Sequence, residues 1–168
     1  MTDNDLLVDY NPRRWLWLSA LVVMLDQATK ALAELYLDPL QSLRLLPHFD
    51  LGLTYNNGAA FSFLRDAGGW QRPFFIVVTV IVLVVLVRWL RHLGPGQKTL
   101  AVGLALILGG AIGNLIDRVA TGQVVDFLDV YYGPWHWPAF NLADSAISLG
   151  VGLLLVDALF LGGESSRQ

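Results

Sequence analysis

The sequence predicts an all-α polytopic membrane protein: four transmembrane helices carrying a small extracytoplasmic β-sheet. Composition is the first observation. Of 168 residues, 55% are hydrophobic and 15% charged, against roughly a quarter charged in soluble domains. Second, several segments approach the roughly 20 apolar residues that cross a bilayer. Third, two stretches between them carry strand-like runs of β-branched and aromatic residues. A net charge of −3 gives no basic field for nucleic acid. With no cysteine, disulfides, thiol nucleophiles and Cys-based metal sites are excluded.

The first span is expected over about 13–36. Arg13 and Arg14 precede WLWLSALVVML, as in a signal peptide, but Asp26 and Lys30 fall where such a peptide is neutral. They stand four apart with the acid first, the favourable order for a helical ion pair. An outer loop, 37–72, contains FDLGLTYN, in which Phe49, Leu51, Leu53 and Tyr55 alternate with more polar residues at strand period. The second span, about 73–90, is uncharged from Pro73 to Val87. A short connection, HLGPGQK, leads to the third span, about 99–118, whose GGAIGN suits close helix packing. The outer loop 119–141 holds GQVVDFLDVYY, a second strand candidate, and the fourth span covers about 142–162. The tails at 1–11 and 162–168 read as disordered.

Four spans place both termini on one side. Arg13, Arg14, Arg88, Arg91, Lys98 and Arg167 share it, against Arg44, Arg65 and Arg72 on the other. The positive-inside rule then sets both termini in the cytoplasm, with Arg72 counting against it.

Polar residues gather at the outer interface, where ionisable groups at membrane depth default to function. Asp26 and Lys30 also read as a structural pair, and Asp117 and Arg118 as ordinary interface charge or a lipid-phosphate contact. Asn141 and Asp144 fit a capping box, which alone explains the acid and equally holds a base ionised. Asp126 lies between valine and phenylalanine, with Asp129 on the opposite strand face. Facing inward, Asp126 has its pKa raised by desolvation, and a neutral carboxyl beside an ionised one is an aspartic dyad. Paired acids equally serve transporters and carboxylate-held cations. His48, His92 and His136 are scattered without a ligand motif, and no Gly-x-Ser-x-Gly or Walker-type element occurs.

Five motifs in register, DQATK (26–30), YNNGAAFS (55–62), GNLIDR (113–118), VVDFLDV (124–130) and FNLADSAIS (140–148), closely resemble the bacterial lipoprotein signal peptidases, or signal peptidase II. The resemblance runs from about residue 15 to 160. It implies a single membrane-embedded peptidase domain over 1–168. The implied activity is that of a cofactor-free aspartic endopeptidase of the bacterial inner membrane, its active site at the periplasmic face and no metal bound. Such an enzyme removes the signal peptide of diacylglyceryl-modified prolipoproteins by cutting before the lipidated cysteine. Asp126 and Asp144 take the catalytic positions. Asp26, Lys30, Asn56, Gly58, Asn114, Asp117, Arg118, Asn141 and Ala143 take positions that bind substrate or support the dyad. The resemblance further implies a mobile amphipathic segment around Phe61 to Trp70, inhibition by the cyclic peptide globomycin, and contact with membrane lipids; a monomer suffices, because all the proposed residues lie in one chain.

Two rivals compete with this reading. A proton-coupled transporter needs its acids along a path through the membrane, whereas these cluster at one face. A lipid-binding assembly subunit needs the aromatic loops but not the acids.

Overall fold

The computed structural model describes residues 11–57 and 70–161. Gly58, the segment from Phe61 to Gly69, most of the two tails, and Arg65 and Arg167 lie outside the described residues. Asn11 accepts a bond from the Arg13 N–H at 3.0 Å and opens a 3-10 turn, Pro12–Trp15, with proline where its missing donor does no harm. Helix α1, Leu16–Tyr36, follows directly and ends where Leu37 turns extended. Strands β1, Leu43–Leu46, and β2, Phe49–Asn56, come next. Helices α2, Gln71–Arg91, and α3, Lys98–Ala120, form an antiparallel pair. Strands β3, Val124–Tyr132, and β4, Trp135–His136, precede α4, Leu142–Val156, which a π turn, Asp157–Leu161, extends. The helical stretches Pro12–Tyr36, Gln71–Arg91, Lys98–Ala120 and Leu142–Phe160 are each long and apolar enough to span a bilayer.

Helix α3 is the axis of the bundle, with α1, α2 and α4 packed around it. Its glycines permit the approach. A Cβ on Gly109 would lie 2.6 Å from the Val22 Cβ of α1, and one on Gly103 would lie 2.9 Å from the Gly150 carbonyl oxygen of α4. Small residues let helix backbones meet where lipid supplies no hydrophobic drive between them. The half of the bundle away from the strands is apolar, with Leu86, Leu90, Leu104 and Leu108 buried together. The half next to the strands buries Asp26, Lys30, Asn114 and Asp117 instead.

The four strands form one antiparallel sheet in the order β1-β2-β3-β4 over that polar end. Leu53, Val125 and Phe127 seal it onto Ala33 of α1. A register shift between Leu51 and Thr54 breaks the simple alternation expected of β2. Asp50 is consequently buried while Tyr55 is exposed. The same shift sets Thr54 opposite Asp126 and Asn56 opposite Val124. Arg72, the outer cation at odds with the positive-inside pattern, donates to the Val119 carbonyl at 2.7 Å. It caps the C-terminal end of α3, where the helix dipole favours a cation.

Candidate active site

The site grows from the start of α4. Asn141 is extended, and its Oδ1 accepts the Asp144 N–H at 3.0 Å while the Asp144 Oδ2 accepts the Asn141 N–H at 3.3 Å. This reciprocal box satisfies two otherwise orphaned donors. It also fixes which way the Asn141 amide faces, since the oxygen is committed to the helix. The Asn141 Nδ2 is thereby aimed at β3 and α3. It donates to Asp126 Oδ1 at 2.7 Å and lies 3.1 Å from the Val125 carbonyl and 3.2 Å from Asn114 Oδ1. Asn141 therefore touches both candidate acids, one by its cap and one by its amide.

Asp126 is buried in β3, and its other oxygen, Oδ2, accepts from Asn56 Nδ2 at 3.0 Å. Burial pushes this carboxyl up to about 6, and the nearby Asp144 charge adds to the rise. The amide donors of Asn56 and Asn141 and the Lys30 charge pull the other way without cancelling it. Asp144, half-buried, receives Asn114 Nδ2 on Oδ1 at 2.8 Å. Asn114 is itself oriented, because its Oδ1 accepts from Lys30 Nζ at 2.9 Å. Neither donor to Asp144 can reverse, so the geometry suits a carboxylate there.

Lys30 anchors the layer beneath. Its ammonium lies 2.8 Å from Asp26 Oδ2 and 2.7 Å from Asp117 Oδ2, all three groups buried. Asp26 Oδ1 accepts the Ala143 N–H at 3.0 Å, tying α1 to the first turn of α4. Asp117 also lies 3.4 Å from the Val125 N–H beside Asp126. Arg118 lies over the Phe75 ring at 5.5 Å, close enough to feel the charges of Asp144, Asp126 and Asp117. Its Nε is buried without a partner.

The structure thus brings Asp26, Lys30, Asn56, Asn114, Asp117, Arg118, Asp126, Asn141, Ala143 and Asp144 together. Asp129 stands apart, paired with His136 at 2.9 Å on the outer sheet. Sequence reasoning passed over two contributors. Gln27 Nε2 bonds Asp117 Oδ1 at 2.9 Å and reaches Asp26 Oδ2 at 3.2 Å, and its place beside Asp26 in DQATK was the available signal. Phe75, beneath Arg118, gives no such sign within an apolar helix. Among the described residues, no group of three or more His, Asp or Glu is arranged to hold a metal ion.

Comparison with known proteins points to one family. The family model described as signal peptidase (SPase) II matches residues 18–160. A lipoprotein signal peptidase of Alteromonas mediterranea is 48% identical over 155 residues, covering 92% of this chain and 85% of its own. One from Acinetobacter baumannii is 52% identical over 147 residues, covering 88% and 84%. A solved structure described as a bacterial membrane enzyme superposes with a TM-score of 0.78 at 33% identity, covering 88% of this chain and 94% of that one. Four spanning helices, two aspartates joined through Asn141 at one end and matches over nearly the full length lead to one assignment: the chain belongs to the signal peptidase II family.

Proposed function

We propose that Asp126 and Asp144 are the catalytic dyad of an aspartic endopeptidase that removes signal peptides from diacylglyceryl-modified prolipoproteins. The observation that carries it is Asn141, which bonds both acids while neither of its own ends can turn over. Because the Asn141 Nδ2 always faces Asp126 Oδ1, a proton on Asp126 belongs on Oδ2, the side of Asn56. Asn56 then turns its amide to offer an oxygen. Asp144, fixed as an acceptor by Asn114 and the cap, is the base.

In this mechanism Asp144 takes a proton from water, and the hydroxide formed attacks the carbonyl preceding the lipidated cysteine. The Asp126 Oδ2–H, held by the Asn56 oxygen before substrate binds, turns from it to donate to the developing oxyanion. As the C–N bond breaks, the proton held by Asp144 passes to the leaving amine, and Asp126 keeps its own. Asp26, Lys30, Asn114, Asp117 and Ala143 position the pair, while Arg118 offers a buried donor to a substrate carbonyl or a lipid phosphate. Gly58, which lies outside the described residues, is assigned to substrate binding by its motif YNNGAAFS alone. The substrate's acyl chains hold the scissile bond at headgroup depth, each buried methylene contributing about 0.8 kcal/mol. Globomycin, a cyclic peptide, competes for this site.

The enzyme sits in the inner membrane as a monomer, since every proposed residue lies in one chain. Arg13, Arg14, Arg88, Arg91 and Lys98 lie at the bundle end away from the dyad, which supports cytoplasmic termini and a periplasmic site. The test is cleavage of purified diacylglyceryl prolipoprotein in detergent with EDTA present. Wild type is expected to cleave, and Asp126→Asn and Asp144→Asn to lose at least about a thousandfold in rate. Full activity in either variant removes it from the dyad, and loss of wild-type activity to EDTA points to a metal.

A further inference from the structure

At the end of the bundle away from the acids, α1 and α2 scarcely touch. Both lean on α3, and α2 meets the N-terminal region chiefly through the 3-10 turn at Pro12–Trp15. The seam between them opens into a cavity of about 350 Å³ lined by Arg13, Leu16, Val87, Leu90 and Arg91. This falls in the range of small-molecule sites, roughly 300–1,000 Å³. Its lining is chemically two-sided: two exposed arginines, Arg13 and Arg91, beside two leucines and a valine. Among the described residues no carboxylate pairs with Arg13 or Arg91. Arg14, Arg88 and Lys98 add charge of the same sign at this end, where Asp157 of the π turn is the one described acid.

We propose that this cleft holds one anionic phospholipid, its phosphate between Arg13 and Arg91 and an acyl chain along Leu16, Val87 and Leu90. The lipid acts as a staple across a seam that side chains leave open. The alternatives match the lining less well. A zwitterionic lipid brings its ammonium against two arginines, and a free phosphate leaves the apolar wall bare. A second copy of this chain brings the same basic end and is repelled. The proposal rests on the membrane-embedded fold and is independent of the dyad.

The experiment uses the full chain in neutral detergent, titrated with phosphatidylglycerol, phosphatidylcholine of the same acyl chains, or glycerol 1-phosphate. Native mass spectrometry and thermal unfolding are the readouts. Phosphatidylglycerol is expected to stay bound as a single adduct and to raise the unfolding temperature, while the other two do neither. Replacing both arginines, Arg13→Gln with Arg91→Gln, is expected to weaken that adduct about 30-fold and to leave cleavage in lipid-free detergent unchanged. Equal binding of phosphatidylcholine overturns recognition of charge. A matching effect of glycerol phosphate overturns the lipid as its source. Undiminished phosphatidylglycerol binding in the double variant overturns the site. Should that variant not fold, Val87→Trp fills the apolar arm and keeps both charges, and it is expected to lose the adduct; retention also overturns the proposal.

Discussion

Asp126 and Asp144 are both held by asparagines, but not interchangeably, and this asymmetry is measurable apart from activity. Asp126 binds its proton more tightly folded than unfolded, its pKa rising from 3.8 to about 6. Its contribution to stability is therefore full below about pH 4 and is lost as pH rises through about 6. Asparagine copies the protonated form, provided Asn56 turns its amide. Asp126→Asn should thus abolish cleavage yet stabilise the protein at pH 7, by up to about 3 kcal/mol. Asp144→Asn has no such release, since Asn114 Nδ2 and the Asn141 N–H both face it as donors. An amide group there meets a donor on either side, at a cost of about 1–3 kcal/mol. Thermal unfolding of both variants between pH 4 and 8 checks the pair of outcomes. Equal shifts for the two would remove the assignment of base and proton carrier.

The element that decides the geometry is the contact between α3 and α4. A Cβ on Gly110 would run into the Ala143 carbonyl oxygen and approach Ile147 Cγ1 to 2.8 Å. Backbone cannot yield as a side-chain end can, so Gly110→Ala should push the first turn of α4 away from α3. A cost of about 1–3 kcal/mol is expected, with a larger loss of turnover because the 2.8 Å bond from Asn114 to Asp144 spans that contact. Gly152→Ala, which meets nothing within 4 Å, is the control and should be silent in both unfolding and cleavage assays. Much at this scale was legible from the residues alone. Long uncharged runs announced the helices, and FDLGLTYN announced β2, because apolar length and period two are local properties. The burial of Asp50 was not legible, since it follows from a bulge fixed by the partner strand. Nor could spacing within α1 reveal that Lys30 also meets Asp117, or that Asp26 meets Ala143. Those partners are brought close only by helix packing, and the five motifs marked the residues without saying which touches which.

For the whole molecule, a sheet at one end and a basic girdle at the other give the bundle a direction. The chain contains no cysteine, so single cysteines can be placed at will. With periplasmic acids, a cysteine at Trp135, 80% exposed on the outer sheet, should react with a membrane-impermeant maleimide on intact spheroplasts. A cysteine at exposed Gly96, between α2 and α3, should react only after lysis. The reverse pattern would invert the orientation and put the dyad on the cytoplasmic side. Biogenesis draws on one feature of this layout, the ion pair within α1. Asp26 and Lys30 neutralise each other one helical turn apart, at 2.8 Å. As the chain emerges from the ribosome, α1 reaches the bilayer before Asp117 and Ala143 have been synthesised. An acid whose only partner lay in α3 or α4 would enter lipid bare, at a cost of about 2.5–3.5 kcal/mol at mid-bilayer. Carrying its own counter-ion, α1 can insert first and wait, exchanging a private pair for a shared one when the later helices arrive.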